Sequence, residues 1–171
     1  MSTLNRAIVI AAEAHAGQVD KAGAPYILHP LRVMLHVEGV SAQIAAVLHD
    51  VVEDSDVPIE DLAEEVFSEE VLAAVEAVTK RPGESRIEAA YRAAANSIAR
   101  VVKLADNADN LDLSRIADPG AKEYARLEQY REVRAILLAG GTSSPEIYST
   151  GRAVEGAEAV KAGASGLPVQ G

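Results

Sequence analysis

The chain has 171 residues, of which 49% are hydrophobic, yet its aromatic content is one phenylalanine and five tyrosines with no tryptophan. That length suits one domain with a real core, and the core must come from Ala, Val, Leu and Ile, as in close-packed helices. A formal charge of -10 excludes a general nucleic-acid surface, which relies on many cationic contacts to phosphate, and the lack of cysteine excludes disulfides, thiolate metal sites and cysteine nucleophiles.

Strand-like alternation is not sustained anywhere, and turn residues divide the chain into helices. Leu4, Ile8, Ala11 and Ala12 predict an opening helix ending near Gly17. Its apolar run, Ala7 to Ala12, is too short for a signal core or a membrane span, so the expected location is cytoplasmic. A polar turn over residues 18–23 leads to His29-Pro30, where Pro30 suits the first turn of a helix that Gly39 ends. Ser41 is placed to cap the next helix, with Ile44, Val47, Leu48 and Val51 on its buried side. Pro58 begins a short helix carrying Ile59, Leu62 and Val66, and Ser68-Glu69-Glu70 starts another that Arg81-Pro82-Gly83 stops. Helices around Ile87 to Ala95, through Val101 to Leu111, and from Asp118-Pro119 to Gly140 complete the pattern. Gly140 to Gly171 hold seven of the twelve glycines; residues 141–171 are expected to form a flexible tail, with a weak helix near Arg152 to Lys161.

Polar residues interrupt two apolar helices where core side chains would otherwise sit: Leu48-His49-Asp50-Val51 and Leu104-Ala105-Asp106. Burying such groups costs several kcal/mol unless they are paired or coordinated. With His29 at a helix mouth, two imidazoles and two carboxylates from three segments make a four-ligand site for one divalent cation. Glu53 and Asp54 fall one helical turn beyond His49 and Asp50, within reach of a bound water. Singly, each piece has an ordinary reading. The His49-Asp50 pair could be a polar contact, His29 a helix-end hydrogen-bonding group, and Asp106 with Asn110 a satisfied polar face. Together they point to a metal-assisted phosphohydrolase.

The same stretches carry a family resemblance. His15-Ala16-Gly17-Gln18, Lys21 to Pro30, Ala46 to Asp54, Val78-Thr79-Lys80 and Val102 to Asp106 resemble, in order and separation, the HD-domain metal phosphohydrolases. Within these, the chain is similar to the hydrolase domain of the RelA/SpoT alarmone enzymes and to the stand-alone small alarmone hydrolases. The resemblance covers residues 1–140 and implies an all-α, compact single-domain helical bundle. It implies that His29, His49, Asp50 and Asp106 hold one metal ion, usually manganese, and that Glu53 and Asp54 orient and deprotonate the attacking water. It further implies that Asn110 lines the substrate pocket and that Lys21 belongs to the nucleotide-binding loop. The implied reaction is release of diphosphate from the 3′ position of (p)ppGpp, a small phosphorylated nucleotide, without a nucleic-acid or membrane partner. No histidine lies between Asp50 and Asp106, which points away from the two-metal members, and the chain is too short for a synthetase domain as well.

Three positions depart from the alarmone pattern. Asp20 stands where an arginine stacks on guanine, Ala22 replaces a serine, and Leu113 replaces a threonine. Aspartate repels phosphate and cannot stack as a guanidinium does. An adenine alarmone or another phosphorylated nucleotide is therefore the alternative substrate. A silent nucleotide-binding protein is the other reading, against which the intact Glu53-Asp54 pair argues. His15 is expected to be a structural hydrogen-bonding residue and His36 a surface one, while Lys80, Arg81, Arg100 and Arg115 could assist an anionic substrate.

Overall fold

The computed structural model describes residues 2–116 and 118–140, so the expected tail at 141–171 lies outside the described residues. Among the described residues there are nine helices and no strand: α1 Leu4–Ala14, α2 Leu28–Leu35, α3 Val40–Leu48, α4 Val51–Asp54, α5 Ile59–Glu64, α6 Glu69–Val78, α7 Arg86–Ala94, α8 Ser97–Leu111 and α9 Ala121–Leu138. The centre is α3, which packs against α1, α2, α6 and α8. It is apolar nearly all round, with Ile44, Ala45, Ala46, Val47 and Leu48 all buried, as a helix enclosed on every side must be. Alanines line many of the contacts, among them Ala7, Ala11, Ala74, Ala93 and Ala99. These small side chains let the helices approach closely, and the core matches the aliphatic, aromatic-poor composition.

Two boundaries differ from the sequence expectation. The helix expected to start at Ser41 begins at Val40, after Gly39 with φ +88°, a left-handed conformation that glycine adopts without a Cβ penalty. Ser41 instead donates to Glu70. The helix expected to reach Val66 ends at Glu64. Val66 turns to φ +60°, a position that costs a β-branched residue about 1–2 kcal/mol, and its carbonyl accepts the Ser2 N–H at 3.0 Å. Pro30 lies in the first turn of α2, as expected, since that helix starts at Leu28.

The third helix also breaks where the apolar periodicity runs on. The His49 ring turns back so that Nδ1 meets the Ala46 carbonyl at 2.7 Å. That carbonyl would take the Asp50 N–H in an unbroken helix, and the side chain competes for it. The chain resumes at α4, leaving His49 and Asp50 in a turn. At the far end of α6, Arg92 of α7 serves the last carbonyls, which have no partner within their own helix. Its Nη1 donates to Glu76 O at 2.7 Å and Ala77 O at 3.0 Å, and its Nη2 to Thr79 O at 2.7 Å. Glu84 accepts from Nε of the same guanidinium at 2.8 Å, and this pairing lowers the Glu84 carboxyl to about 2.

Candidate metal centre and substrate cleft

His29 from the first turn of α2, His49 from the turn after α3 and Asp106 from α8 are all buried. Each offers a donor atom, and these atoms lie within 4.8 Å of one another. His29 Nε2 is 3.3 Å from Asp106 Oδ1 and 3.5 Å from Asp50 Oδ2, while His49 Nε2 is 3.0 Å from Asp50 Oδ2 and 3.8 Å from Asp106 Oδ1. The four residues singled out in the sequence therefore converge on one point.

The tautomers follow from the partners. His49 Nδ1 faces a carbonyl, which can only accept, so Nδ1 carries a proton and, in the neutral ring that binds a metal, Nε2 offers the lone pair. His29 Nδ1 meets Asp109 Oδ2 at 2.7 Å and is oriented likewise. His49 Nε2 is buried without a hydrogen-bond partner, although a carboxylate is close by. An orphaned nitrogen beside two carboxylates fits a divalent cation, whose charge two anionic and two neutral donors would balance. Without metal, burial opposes charging of both rings, but the carboxylates outweigh it. Asp106, Asp109 and Asp50 raise His29 to about 11, and Asp50 and Asp106 raise His49 to about 9. Burial works against ionisation of Asp106 too, and Lys103, at 2.9 Å, together with the two rings holds it well below the usual carboxylate range.

Around this point stand residues that the sequence did not single out. Asp109 receives His29 on one side and Arg32 on the other, with Nε at 2.7 Å from Oδ1 and Nη2 at 3.0 Å from Oδ2. Such a carboxylate fixes the ring orientation of a metal-binding histidine. Its spacing of three from Asp106, on the same helix face, was the available signal. Tyr26 Oη lies 2.8 Å from Asp50 Oδ2 and 3.2 Å from Asp54 Oδ2, joining the two acids. Burial and those carboxylates push its phenol well above the ordinary range. Burial, Asp50 and Glu53 raise Asp54.

The candidate water-handling acids differ in setting. Glu53 lines the cleft, where its Oε2 accepts the Lys80 N–H at 3.0 Å. Asp54 sits behind Tyr26, and its own carbonyl accepts from Gln18 Nε2 at 2.8 Å. His15, buried, pairs through Nδ1 with Gln18 Oε1 at 2.9 Å, a structural role as expected. His36 is exposed and bonds the Arg32 carbonyl.

The donor atoms open into a cleft of about 520 Å3, the volume of a small-molecule site. Lys21 and Asn110, both expected near substrate, line it; so do Lys80 and Arg115, whereas Arg81 and Arg100 do not. Asn110 Nδ2 bonds the Asp106 carbonyl at 3.1 Å and also reaches Oδ1. Away from the metal point, Arg86 lies 5.3 Å over the Tyr130 ring, and Arg126 completes a set of six cations with Lys21, Lys80, Lys103 and Arg115. Carboxylates line the same cleft, gathered at the metal point and around Arg115, so cations stand beside acids whose charge a bound metal would offset.

The all-helical bundle thus holds a buried histidine–aspartate cluster, of the kind that can bind a metal ion, at the head of a cleft lined by charges of both signs. Residues 7–105 match the HD domain family, and the chain belongs to that family. The match takes in His29, His49, Asp50, Glu53 and Asp54, and stops one residue short of Asp106.

Among the relatives, the human guanosine-3′,5′-bis(diphosphate) 3′-pyrophosphohydrolase MESH1 is 34% identical over 133 residues, covering 71% of this chain and 73% of that protein. The protein of the same description from Borreliella burgdorferi is 42% identical over 79 residues, 44% of this chain. A probable GTP pyrophosphokinase from Mycobacterium leprae is 35% identical over 150 residues, 80% of this chain. The chain spans only 12% and 19% of those two longer bacterial proteins. A solved structure described as a metazoan ortholog of SpoT that hydrolyzes ppGpp superposes with a TM-score of 0.66 at 28% identity, covering 81% of this chain and 85% of that one. No helix among the described residues is long and apolar enough to cross a membrane.

Proposed function

We propose that this protein is a cytoplasmic, manganese-dependent 3′-pyrophosphohydrolase that removes the diphosphate from the 3′ position of a guanosine alarmone such as ppGpp. The observation that carries the proposal is the convergence of His29, His49 and Asp106 at the head of a cleft of small-molecule size. The relatives' described activity supports the substrate class. In this reading Asp50 joins these three as the fourth ligand.

A divalent cation held there supplies Lewis acidity, which makes water acidic enough to ionise near neutral pH and offsets charge on phosphorus. Glu53, open to the cleft and anchored by the Lys80 N–H, accepts the proton of the attacking water. Asp54, tied to Asp50 through Tyr26, orients that water. The water oxygen joins the phosphorus nearest the ribose, the bond to O3′ breaks, and diphosphate leaves as O3′ takes a proton. Asn110 and Lys21 bind the nucleotide, and Lys80, Arg86 and Arg126 offset its charge.

An activity screen with added manganese, over guanine and adenine nucleotides with and without a 3′-diphosphate, tests this. Diphosphate should appear only from the 3′-diphosphates. Release from none of them rejects the proposal. An adenine alarmone is the second reading, favoured by Asp20, Ala22 and Leu113, and the same screen separates the two bases.

A further inference from the structure

Asp20, expected to repel phosphate and to leave the pocket without its stacking cation, is fully engaged. Its Oδ1 accepts the N–H groups of Ala22 at 2.9 Å and Ala24 at 3.0 Å, which closes the loop between α1 and α2. Its Oδ2 meets Arg115 Nη1 at 3.3 Å across 95 positions of sequence. Arg115 comes from the segment after α8, and its Nη2 also bonds the Asp109 carbonyl at 2.9 Å and Oδ2 at 3.0 Å. Both Nη groups are thus held in the plane of the guanidinium, by acids from two separate segments. Hydrogen bonds consume the edge of such a cation and leave its face for stacking.

The surroundings of that face suit a flat ring. Arg115 lines the cleft together with Val19, Ala22, Leu113 and Ile116, a small apolar group at a mouth otherwise rich in charge. Val19 is 64% exposed, so a planar ligand against it would remove apolar surface from water. One carboxylate, Asp109, separates Arg115 from His29, which sets the planar cation a short span from the metal point.

Resting on the reading of the site as a nucleotide 3′-diphosphate hydrolase, we infer that Arg115 is the residue that recognises the nucleobase. It stacks on a purine ring at the cleft mouth, and Asp20 is the anchor that holds it there. Arg115 is then a specificity residue, with no part in bond breaking. Its contribution is to ground-state binding, because a contact to the base, which is unchanged in the reaction, stabilises ground and transition states alike.

The test is steady-state kinetics of Arg115→Ala and Arg115→Lys on a purine nucleoside 3′-diphosphate and on its base-free ribose counterpart, with metal content measured in parallel. On the purine substrate, Arg115→Ala should raise KM about tenfold, the size of a desolvated cation–π contact, with kcat close to wild type. Arg115→Lys should fail to restore KM, since an ammonium has no plane to stack, and the base-free substrate should be indifferent to either change. Full rescue by lysine would reduce Arg115 to a phosphate contact and overturn the inference. A fall in kcat or metal content at unchanged KM would show that it acts through Asp109 on His29, which also overturns it.

Should Arg115→Ala not fold, Asp20→Asn retains the acceptor for the loop N–H groups, removes the anchor's charge, and should raise KM in the same base-dependent way. If wild-type protein hydrolyses no nucleotide at all, the proposed function fails by itself. Calorimetric binding of GDP and ADP to wild type and Arg115→Ala then decides the present point, with a loss of about tenfold supporting it and equal affinity refuting it.

Discussion

Replacing Asp109 tests whether the metal point depends on a carboxylate that would not itself touch the metal. Its two oxygens receive His29 Nδ1 at 2.7 Å, Arg32 at 2.7 and 3.0 Å, and Arg115 at 3.0 Å. Removal therefore frees the His29 ring and leaves two guanidiniums without their shared anion. Losing such an orienting partner typically weakens a metal site by about 10- to 100-fold. Asp109→Asn keeps an oxygen for the Nδ1–H but loses the charge and presents an amide to the arginines, so metal should bind about tenfold more weakly. Asp109→Ala removes the acceptor altogether and should reach the hundredfold end, ~2.7 kcal/mol. Competition titration against a chromogenic chelator measures both, and the order wild type, Asn, Ala is the signature. If all three bind metal within about twofold of one another, Asp109 does not orient His29 and the reasoning is wrong.

Glu53→Gln should retain metal while turnover falls by roughly two to four orders of magnitude, the effect of losing a general base; near-normal turnover would shift that role to Asp54. Because His29 and His49 are raised to about 11 and 9 in the metal-free protein, both hold a proton on Nε2 at pH 7.5 that a metal must displace. Calorimetry in buffers of different ionisation enthalpy should therefore report about two protons released per metal bound, with apparent affinity rising with pH; no release contradicts the assigned charge states. For the metal-free fold, the same two groups contribute stability that is complete below about pH 6.5 and is lost as pH rises through 9 and then 11. Thermal melts without metal should decline over that interval. Arg92→Ala should cost about 2–3 kcal/mol by leaving the α6 carbonyls unserved, visible as a lower Tm with metal affinity unchanged; an unaltered Tm would mean that water replaces the guanidinium at no cost.

The helices were legible in the sequence because their apolar residues recur at helical spacing between clear turn residues. The metal point was legible because His49, Asp50 and Asp106 stand where aliphatic residues would otherwise continue the core. The break after Leu48 was not, since Ile44, Val47, Leu48 and Val51 keep one helical phase across it; the competition of the His49 ring for the Ala46 carbonyl is a side-chain event that periodicity cannot register. Asp109 looked like a solvated helix residue because both its arginines and its histidine come from distant positions. Asp20 was misread for the same reason. As a lone anion it signals repulsion of phosphate, whereas paired with Arg115 it brings a cation to the cleft.

The two walls of the cleft are built from different materials, and they will respond differently to random change. His49 and Asp106 are set by α3 and α8, helices packed through alanines so tightly that a larger side chain at Ala45 or Ala46 would move the very carbonyl that orients the histidine. Val19, Ala22, Leu113 and Arg115 sit instead on connecting segments, where loops tolerate substitution. A lineage can therefore explore new ligands by altering the loops while the histidine–aspartate end is inherited intact, and directed evolution of this scaffold should find altered ligand preference far more often than an altered cluster.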